Sequence, residues 1–214
     1  MMRIARFATG LALVLAFAVP AQAAVNVSAS VLWDPNPDDD TQVFLHVSNT
    51  AYPVPREQAR LVFDRLDDPY ADYPVLAFIA HTANVNIGAV WRYRNKGHGW
   101  LDVMVHFGVR PDVLFVELPQ DPGPPYGKAY GHWKKHGNRV TPRQVTDDDV
   151  RFWVCLRAAS AYTGTPPARL LAHGTSNIRD AAARKYRADK GKGNQGQTAG
   201  FGKGNGKGKG KDKP

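Results

Sequence analysis

The sequence predicts a mostly α-helical protein with a small β-hairpin near its N-terminus. Two observations favour helices: apolar residues recur three and four positions apart over residues 55–187, and residues that cap helices precede several of these segments. The hairpin is predicted from a third observation, the alternation of apolar and polar residues over 25–33 and 41–47. A Pro/Asp-rich turn separates these two stretches, as in many hairpins.

Composition and patterning divide the chain into four regions. Residues 1–23 have a basic start, an uncharged apolar run and a small-x-small end, which is the pattern of a cleaved secretory signal peptide. The hairpin region follows at 24–49, and the helical domain covers 50–188. Residues 189–214 are mostly Gly, Lys, Asn and Gln, which bury too little apolar surface to offset the cost of ordering, so this tail is predicted to be disordered.

The signal peptide predicts export, and so a periplasmic or secreted location. Beyond residue 23, no uncharged run approaches the roughly 20 residues that span a bilayer, so the mature chain is expected to have no transmembrane span.

Apolar periodicity, capping residues and breaker residues set the expected helices of the domain. These helices cover approximately residues 55–66, 70–83, 87–96, 100–107, 126–136, 147–163, 168–172 and 177–187. A short strand or an extended arm is expected over 112–118, before a Pro/Gly-rich loop at 119–125.

The helical domain is predicted to contain two copies of one unit, at about residues 70–110 and 146–187. An Ala-x-x-Ala pair, a glycine and an aliphatic residue recur along the chain at separations of 78, 77 and 77 residues. Each unit would consist of a helix, a short helix, a glycine and a further helix. A Pro/Gly-rich linker that includes residues 126–136 would join the two units.

Two segments carry a resemblance to a known group of proteins. Residues 86–103 read NIGAVWRYRNKGHGWLDV and residues 123–135 read GPPYGKAYGHWKK. They resemble the V-x-x-x-R-x-x-G-x-S-W unit and the GPPYGKAYG linker of an uncharacterised group of exported bacterial proteins. The resemblance covers roughly residues 70–187 and implies export and a helical architecture, but no activity. This chain departs from the pattern at Gly99, where the group has Ser, and at Asn177, where it has an aromatic residue.

The positive charge of the chain is concentrated at its C-terminal end. The formal net charge is +9, yet residues 184–214 contain ten Lys/Arg and two Asp, and residues 24–183 carry a net charge of −1. A strongly basic folded domain, which is typical of nucleic-acid binders, is therefore not expected. The tail is predicted to contact an anionic envelope polymer or lipid headgroups; the alternative is a tail that only improves solubility.

The main candidate for ligand contact lies within residues 126–135. Three aromatic residues recur there at positions i, i+4 and i+7, with lysines between and beside them. Aromatic rings and lysines together can contact sugars, bases or polyanionic chains. The alternative is that an aromatic stripe at helical spacing packs in the core. The candidate residues are Tyr126, Lys128, Tyr130, Trp133, Lys134 and Lys135.

Other patterns do not predict a cofactor or a metal. The acidic segment 34–40 has oxygen-bearing side chains at alternate positions, but Asp39 and Leu45 occupy places where a calcium loop needs Gly and Glu. His132 and His136 share a helix face, but the Glu of a zinc protease motif is missing between them. The lone Cys155 is expected to be buried and apolar in character.

These observations favour an exported, non-enzymatic interaction or structural module of the cell envelope. No nucleophile elbow, reactive-cysteine signature or phosphate-binding loop occurs in the chain. Two alternatives remain. One is a periplasmic enzyme of unassigned reaction; the other is a nucleic-acid binder in which residues 91–97 and the following helix form a helix-turn-helix. That following helix has few side chains that read bases.

Overall fold

A computed structural model describes residues 28–198, with gaps at 35, 38, 142–143 and 173–176 and without the side chains of 138, 177 and 191–198. The described part contains nine α-helices, and the prediction of a mostly helical protein is confirmed. They are α1 Asp40–Ala51, α2 Arg56–Phe63, α3 Pro69–Ala83, α4 Ile87–Arg94, α5 Trp100–His106, α6 Gly127–His136, α7 Asp147–Thr163, α8 Pro167–Leu171 and α9 Asn177–Thr198. Three short 3₁₀ helices accompany them at Ala29–Trp33, Pro111–Val113 and Gly137–Arg139.

The predicted β-hairpin over residues 24–49 is wrong, since no strand occurs among the residues that the structure describes in this region. The 3₁₀ helix Ala29–Trp33 and helix α1 take its place. The Asp39 carboxylate caps α1 by accepting two hydrogen bonds of 2.8 Å from first-turn amides. Phe44 and Ser48, which lie four positions apart on one helix face, are both buried, as helical rather than alternating spacing requires.

The centre of the fold is formed by α3 and α7. Every residue of α3 from Tyr73 to Ala80 is buried, and α7 is buried along most of its length. A helix that is apolar on all sides needs neighbours all round it. Helix α1 packs against both α3 and α7, and α9 packs against α1 and α7. Helices α2 and α4 pack against each other and against α3.

The predicted repeat units correspond to α3–α4–α5 and α7–α8–α9, which have the same helix order. Helices of the second unit begin 78, 80 and 77 residues after their counterparts. The packing of the two units differs, because α9 runs along α7 and α1, whereas α5 packs against α4 and the start of α7. A shared evolutionary or structural repeat therefore stays a prediction.

Polar contacts join the start of α7 to three helices of the first unit, α3, α4 and α5. Arg94 forms an ion pair with Asp147, Nη2 to Oδ2, at 2.6 Å. The other oxygen of Asp147 accepts a 2.7 Å hydrogen bond from the amide of Trp100 at the start of α5. Arg151 of α7 reaches back to Asp72 of α3 at 2.7 Å. These contacts set the position of α7 relative to the first unit.

Membrane-spanning helices are absent from the described part of the chain. No helix in that part is long and apolar enough to cross a membrane. The predicted signal peptide, 1–23, lies outside the described residues. Helix α9 continues past its predicted end near residue 187, to Thr198, and the rest of the predicted tail lies outside the described residues. The 112–118 segment begins in a 3₁₀ helix and continues without regular structure.

Candidate functional site

Tyr130, in the middle of the predicted site, is a core residue. Its side chain is 1% exposed and packs on the ring of Trp153, with ring centroids 5.4 Å apart. The hydroxyl donates to the carbonyl of Leu118 at 3.1 Å and accepts from the amide of the same residue at 2.7 Å. Tyr130 therefore holds α6 against α7 and the preceding loop, and its hydroxyl is already satisfied.

The other two aromatic residues of the stripe also use one ring face for packing. Trp133 is half-buried and stacks on Phe115 with ring centroids 5.2 Å apart. Tyr126 is half-buried and stacks on Phe152 at 3.7 Å with the rings nearly parallel. The aromatic stripe thus belongs mainly to the packing of α6, and Tyr126 also lines a cleft.

The three predicted lysines are exposed. Lys128 lies in the first turn of α6, and Lys134 and Lys135 lie in its last turn, where cations are favoured by the helix dipole. Lys134 also lies 5.6 Å from the centroid of the Tyr130 ring. None of the three lysines forms an ion pair with a carboxylate among the described residues.

The charge around α6 has one sign over a long stretch of sequence. Residues 122–146 contain five Lys/Arg and two His, and no Asp or Glu. Arg139, which follows α6, is exposed and likewise forms no ion pair with the described carboxylates. This run of basic residues raises the local positive potential of α6, even though the net charge of the domain is close to zero. Acids do approach the start of the helix, where Asp121 lies beside Gly127 and Asp148 and Asp149 line the same cleft as Lys128.

A cleft of about 650 Å³ lies between α6, the start of α7 and the start of α9. This volume is within the range of sites that bind small molecules. Its apolar wall includes Tyr126, Phe152 and Ile178, and its polar wall includes Lys128 and Gln144. The sequence analysis singled out Tyr126 and Lys128 but not the other three, which come from the loop before α7, from α7 and from α9.

Two acidic residues of the cleft already have partners. Asp149 is buried, and its Oδ2 accepts hydrogen bonds from the amide and the hydroxyl of Thr146, at 2.8 and 2.7 Å. This capping box starts α7. Asp148 is exposed and pairs with Arg151 at 2.9 Å. The acids of the cleft therefore serve mainly to build the helix.

Arg179 is a basic residue of the cleft that sequence reasoning did not single out. Its guanidinium carbon lies 5.5 Å from the centroid of the Phe44 ring on α1. Its positive charge also lies near Cys155 and partly offsets the effect of burial on the pKa of the thiol. None of the ion pairs within the described part of the chain includes Arg179.

The titration behaviour of the cleft favours neutral Tyr and Cys side chains at neutral pH. Burial raises the pKa of Tyr126, and the charges of Asp148 and Asp149 raise it further. Burial also raises the pKa of Cys155, which opposes formation of a thiolate. Tyr126 can therefore donate a hydrogen bond into the cleft, and Cys155 lacks the setting of an activated nucleophile.

The remaining sequence patterns give no comparable site. The rings of His132 and His136 stack with centroids 6.3 Å apart, and no group of three potential metal ligands occurs among the described residues. In the helix-turn-helix alternative, α5 would read bases, but its exposed side chains are those of Asp102, Val105 and His106. This set lacks the Arg, Asn and Gln side chains that most often read bases.

A comparison of the chain with known protein families, with curated proteins and with solved structures finds no match in any of the three. The function proposed below therefore rests on the residues of this chain.

Proposed function

We propose that the protein is an exported, non-enzymatic interaction module of the cell envelope that binds anionic polymers through α6 and its C-terminal tail. The observation that carries this proposal is the acid-free stretch 122–146, whose lysines are exposed on a packed helix and free of ion pairs with the described carboxylates. Because the helix backbone is already ordered before binding, the protein loses less conformational entropy when these lysines contact a ligand.

Packing of the aromatic residues supports this role for the lysines. Tyr130 is anchored by two hydrogen bonds to Leu118, and Trp133 is stacked on Phe115. These contacts hold α6 in place, and its basic side chains point away from the core. The tail adds further positive charge to the same chain, so two basic segments can contact one polymer.

Export is supported by the signal-peptide pattern of residues 1–23. A polymer is favoured over a membrane surface because the exposed face of α6 offers charge without a projecting apolar side chain. Proteins that bind the membrane interface usually insert such residues below the headgroups.

Binding of the full chain to immobilised heparin, measured over a range of salt concentrations, tests this proposal. We expect the variant K128Q/K134Q/K135Q to bind more weakly and to reduce the slope of log K against log salt by about three, since each cationic contact contributes about one. A matched control removes three exposed cations elsewhere. That control is R60Q/R92Q/K96Q.

The tail is tested in the same assay by a variant that neutralises five of its lysines. These are Lys203, Lys207, Lys209, Lys211 and Lys213. We expect weaker, less salt-dependent binding for this variant as well. If the α6 variant and its control bind heparin equally, the role of α6 is wrong. If phosphatidylglycerol vesicles bind more tightly than heparin, the partner is a membrane and the polymer proposal is wrong.

A further inference from the structure

Arg179 has an unusual environment for an arginine at the edge of a core. It is half-buried, it lies over the ring of Phe44, and it forms no ion pair with a carboxylate of the described residues. A guanidinium that is partly removed from water is costly unless an anion accompanies it. Its remaining N–H donors can bind a planar carboxylate in a bidentate manner.

The acids closest in the cleft do not supply that anion. Asp149 is held by Thr146 in the capping box, and Asp148 is paired with Arg151. Cys155 does not supply it either, because burial raises the pKa of its thiol. Of the other basic residues that line the cleft, Arg151 is paired with Asp72 and Asp148, and Lys128 is exposed. Arg179 is therefore the half-buried cation that a ligand of the cleft can neutralise.

The lining of the cleft also includes apolar side chains. Tyr126 and Phe152 form a parallel stack at 3.7 Å, and Ile178 and Ala129 line the same cleft. A ligand with an apolar body would remove this surface from water and gain about 25 cal/mol for each Å² covered. The hydroxyl of Tyr126 adds a hydrogen-bond donor.

We propose that this cleft binds a monocarboxylate with an apolar body, the carboxylate on Arg179 and the body against Tyr126, Phe152 and Ile178. A second negative charge on the ligand would lie near Asp148 and Asp149, which disfavours phosphate monoesters and dicarboxylates. Free aliphatic or aryl carboxylic acids and the C-terminal residue of a peptide share this chemistry. Lys128 also lines this cleft, whereas Lys134 and Lys135, at the end of α6, are not among its lining residues.

Calorimetric titration of the full chain with 3-phenylpropionate and with the tripeptide Gly-Gly-Phe distinguishes the two sources. We expect saturable binding of one of these probes. Replacing the carboxylate by a carboxamide, in either probe, should weaken binding at least about tenfold, because a charge-assisted bond to the guanidinium is lost. Benzylmalonate, with two carboxylates, should also bind more weakly than 3-phenylpropionate.

The variant R179Q should weaken binding of that probe at least about tenfold, while R169Q, which changes an exposed arginine of α8, should not. R179K keeps the charge without the bidentate geometry and should give an intermediate affinity. Circular dichroism of each variant establishes that the fold is kept.

Three outcomes would overturn the site: neither probe binds, the amides bind as tightly as the acids, or R179Q and R169Q are equivalent. Heparin binding should be unchanged in R179Q. Failure of this site would therefore be distinguishable from failure of the proposed polymer binding.

Discussion

The two units have the same helix order, but their last helices pack differently. The units are α3–α4–α5 and α7–α8–α9. In the first unit the last helix, α5, has seven residues and ends against α4 and the start of α7. In the second unit the last helix, α9, has 22 residues and runs back along α7 and α1. The additional length lets α9 pack along α1, whereas its first turn supplies Ile178 and Arg179 to the cleft. Helix α5 lines a smaller cleft of about 420 Å³ with Leu101, Asp102 and Val105.

The two units also differ in how their helices are capped. The start of α5 is capped by Asp147, a residue of the second unit, because Gly99 has no side chain that could cap it. The start of α7 has its own capping box, Thr146 with Asp149. The first unit thus depends on the second for a helix cap, and similar helix patterns need not form independent modules.

The largest expected effects come from the shared core. Leu76 of α3 and Leu156 of α7 are both 0% exposed. We expect L76A and L156A each to lower the free energy of unfolding by about 2–5 kcal/mol, from lost burial and the cavity left behind. Urea unfolding followed by circular dichroism and by tryptophan fluorescence checks this prediction.

In each variant, circular dichroism and tryptophan fluorescence should report the same urea midpoint, since the two units share one core. The control L61A, at a position that is 61% exposed, should stay within about 0.5 kcal/mol of the wild type. Two separate transitions, each sensitive to one substitution, would mean that the units unfold independently.

A smaller effect is expected at the contact between the units. D147N removes the ion pair with Arg94 and weakens the hydrogen bond to the Trp100 amide. We expect a loss of about 1–2 kcal/mol in the free energy of unfolding, as for a helix cap combined with a partly buried charge. The matched control is D148N, next in sequence, whose side chain is 80% exposed. Equal losses in the two variants would argue against a special role for Asp147.

The smallest expected effect concerns pH and the α1–α9 contact. Burial lowers the pKa of His46 below 6.5, and its ring lies 5.2 Å from that of Tyr186. The unfolded chain therefore binds a proton more readily than the folded chain, and His46 makes stability fall as pH drops below about 6.5. Unfolding free energies between pH 7.5 and about 5 should depend less on pH in H46F than in the wild type. Identical pH dependence in both proteins would contradict this assignment.

Helix boundaries could be predicted well where a cap lies next to the apolar pattern that it starts. The sequence places Asp68 and Asn86 before two expected helices and either Thr146 or Asp147 at the start of a third. In the structure Asp68, Asn86 and Thr146 each accept a hydrogen bond from a first-turn amide. These signals are local, since a cap bonds to amides two or three residues away. Helix α1 was missed because its β-branched residues suit a strand, while burial against α3, α7 and α9 favours a helix.

The candidate site could be predicted only in part for a related reason. The aromatic residues and lysines within 126–135 predicted a ligand contact on α6, and the lysines are exposed there. The burial of Tyr130 depends on Leu118 and Trp153, and Arg179 reaches the same cleft from α9. No spacing in the sequence connects these residues, because they meet through packing alone.

The sequence by itself determined the helical class, the capped starts of α3, α4 and α7, and the placement of positive charge at 122–146 and in the tail. These features depend on residues that are neighbours in the chain. Only the tertiary structure decided which side of α6 is buried, that Asp147 caps α5, and that Arg179 lies in a cleft. These features depend on contacts between residues far apart in sequence, and such contacts form only when the helices pack.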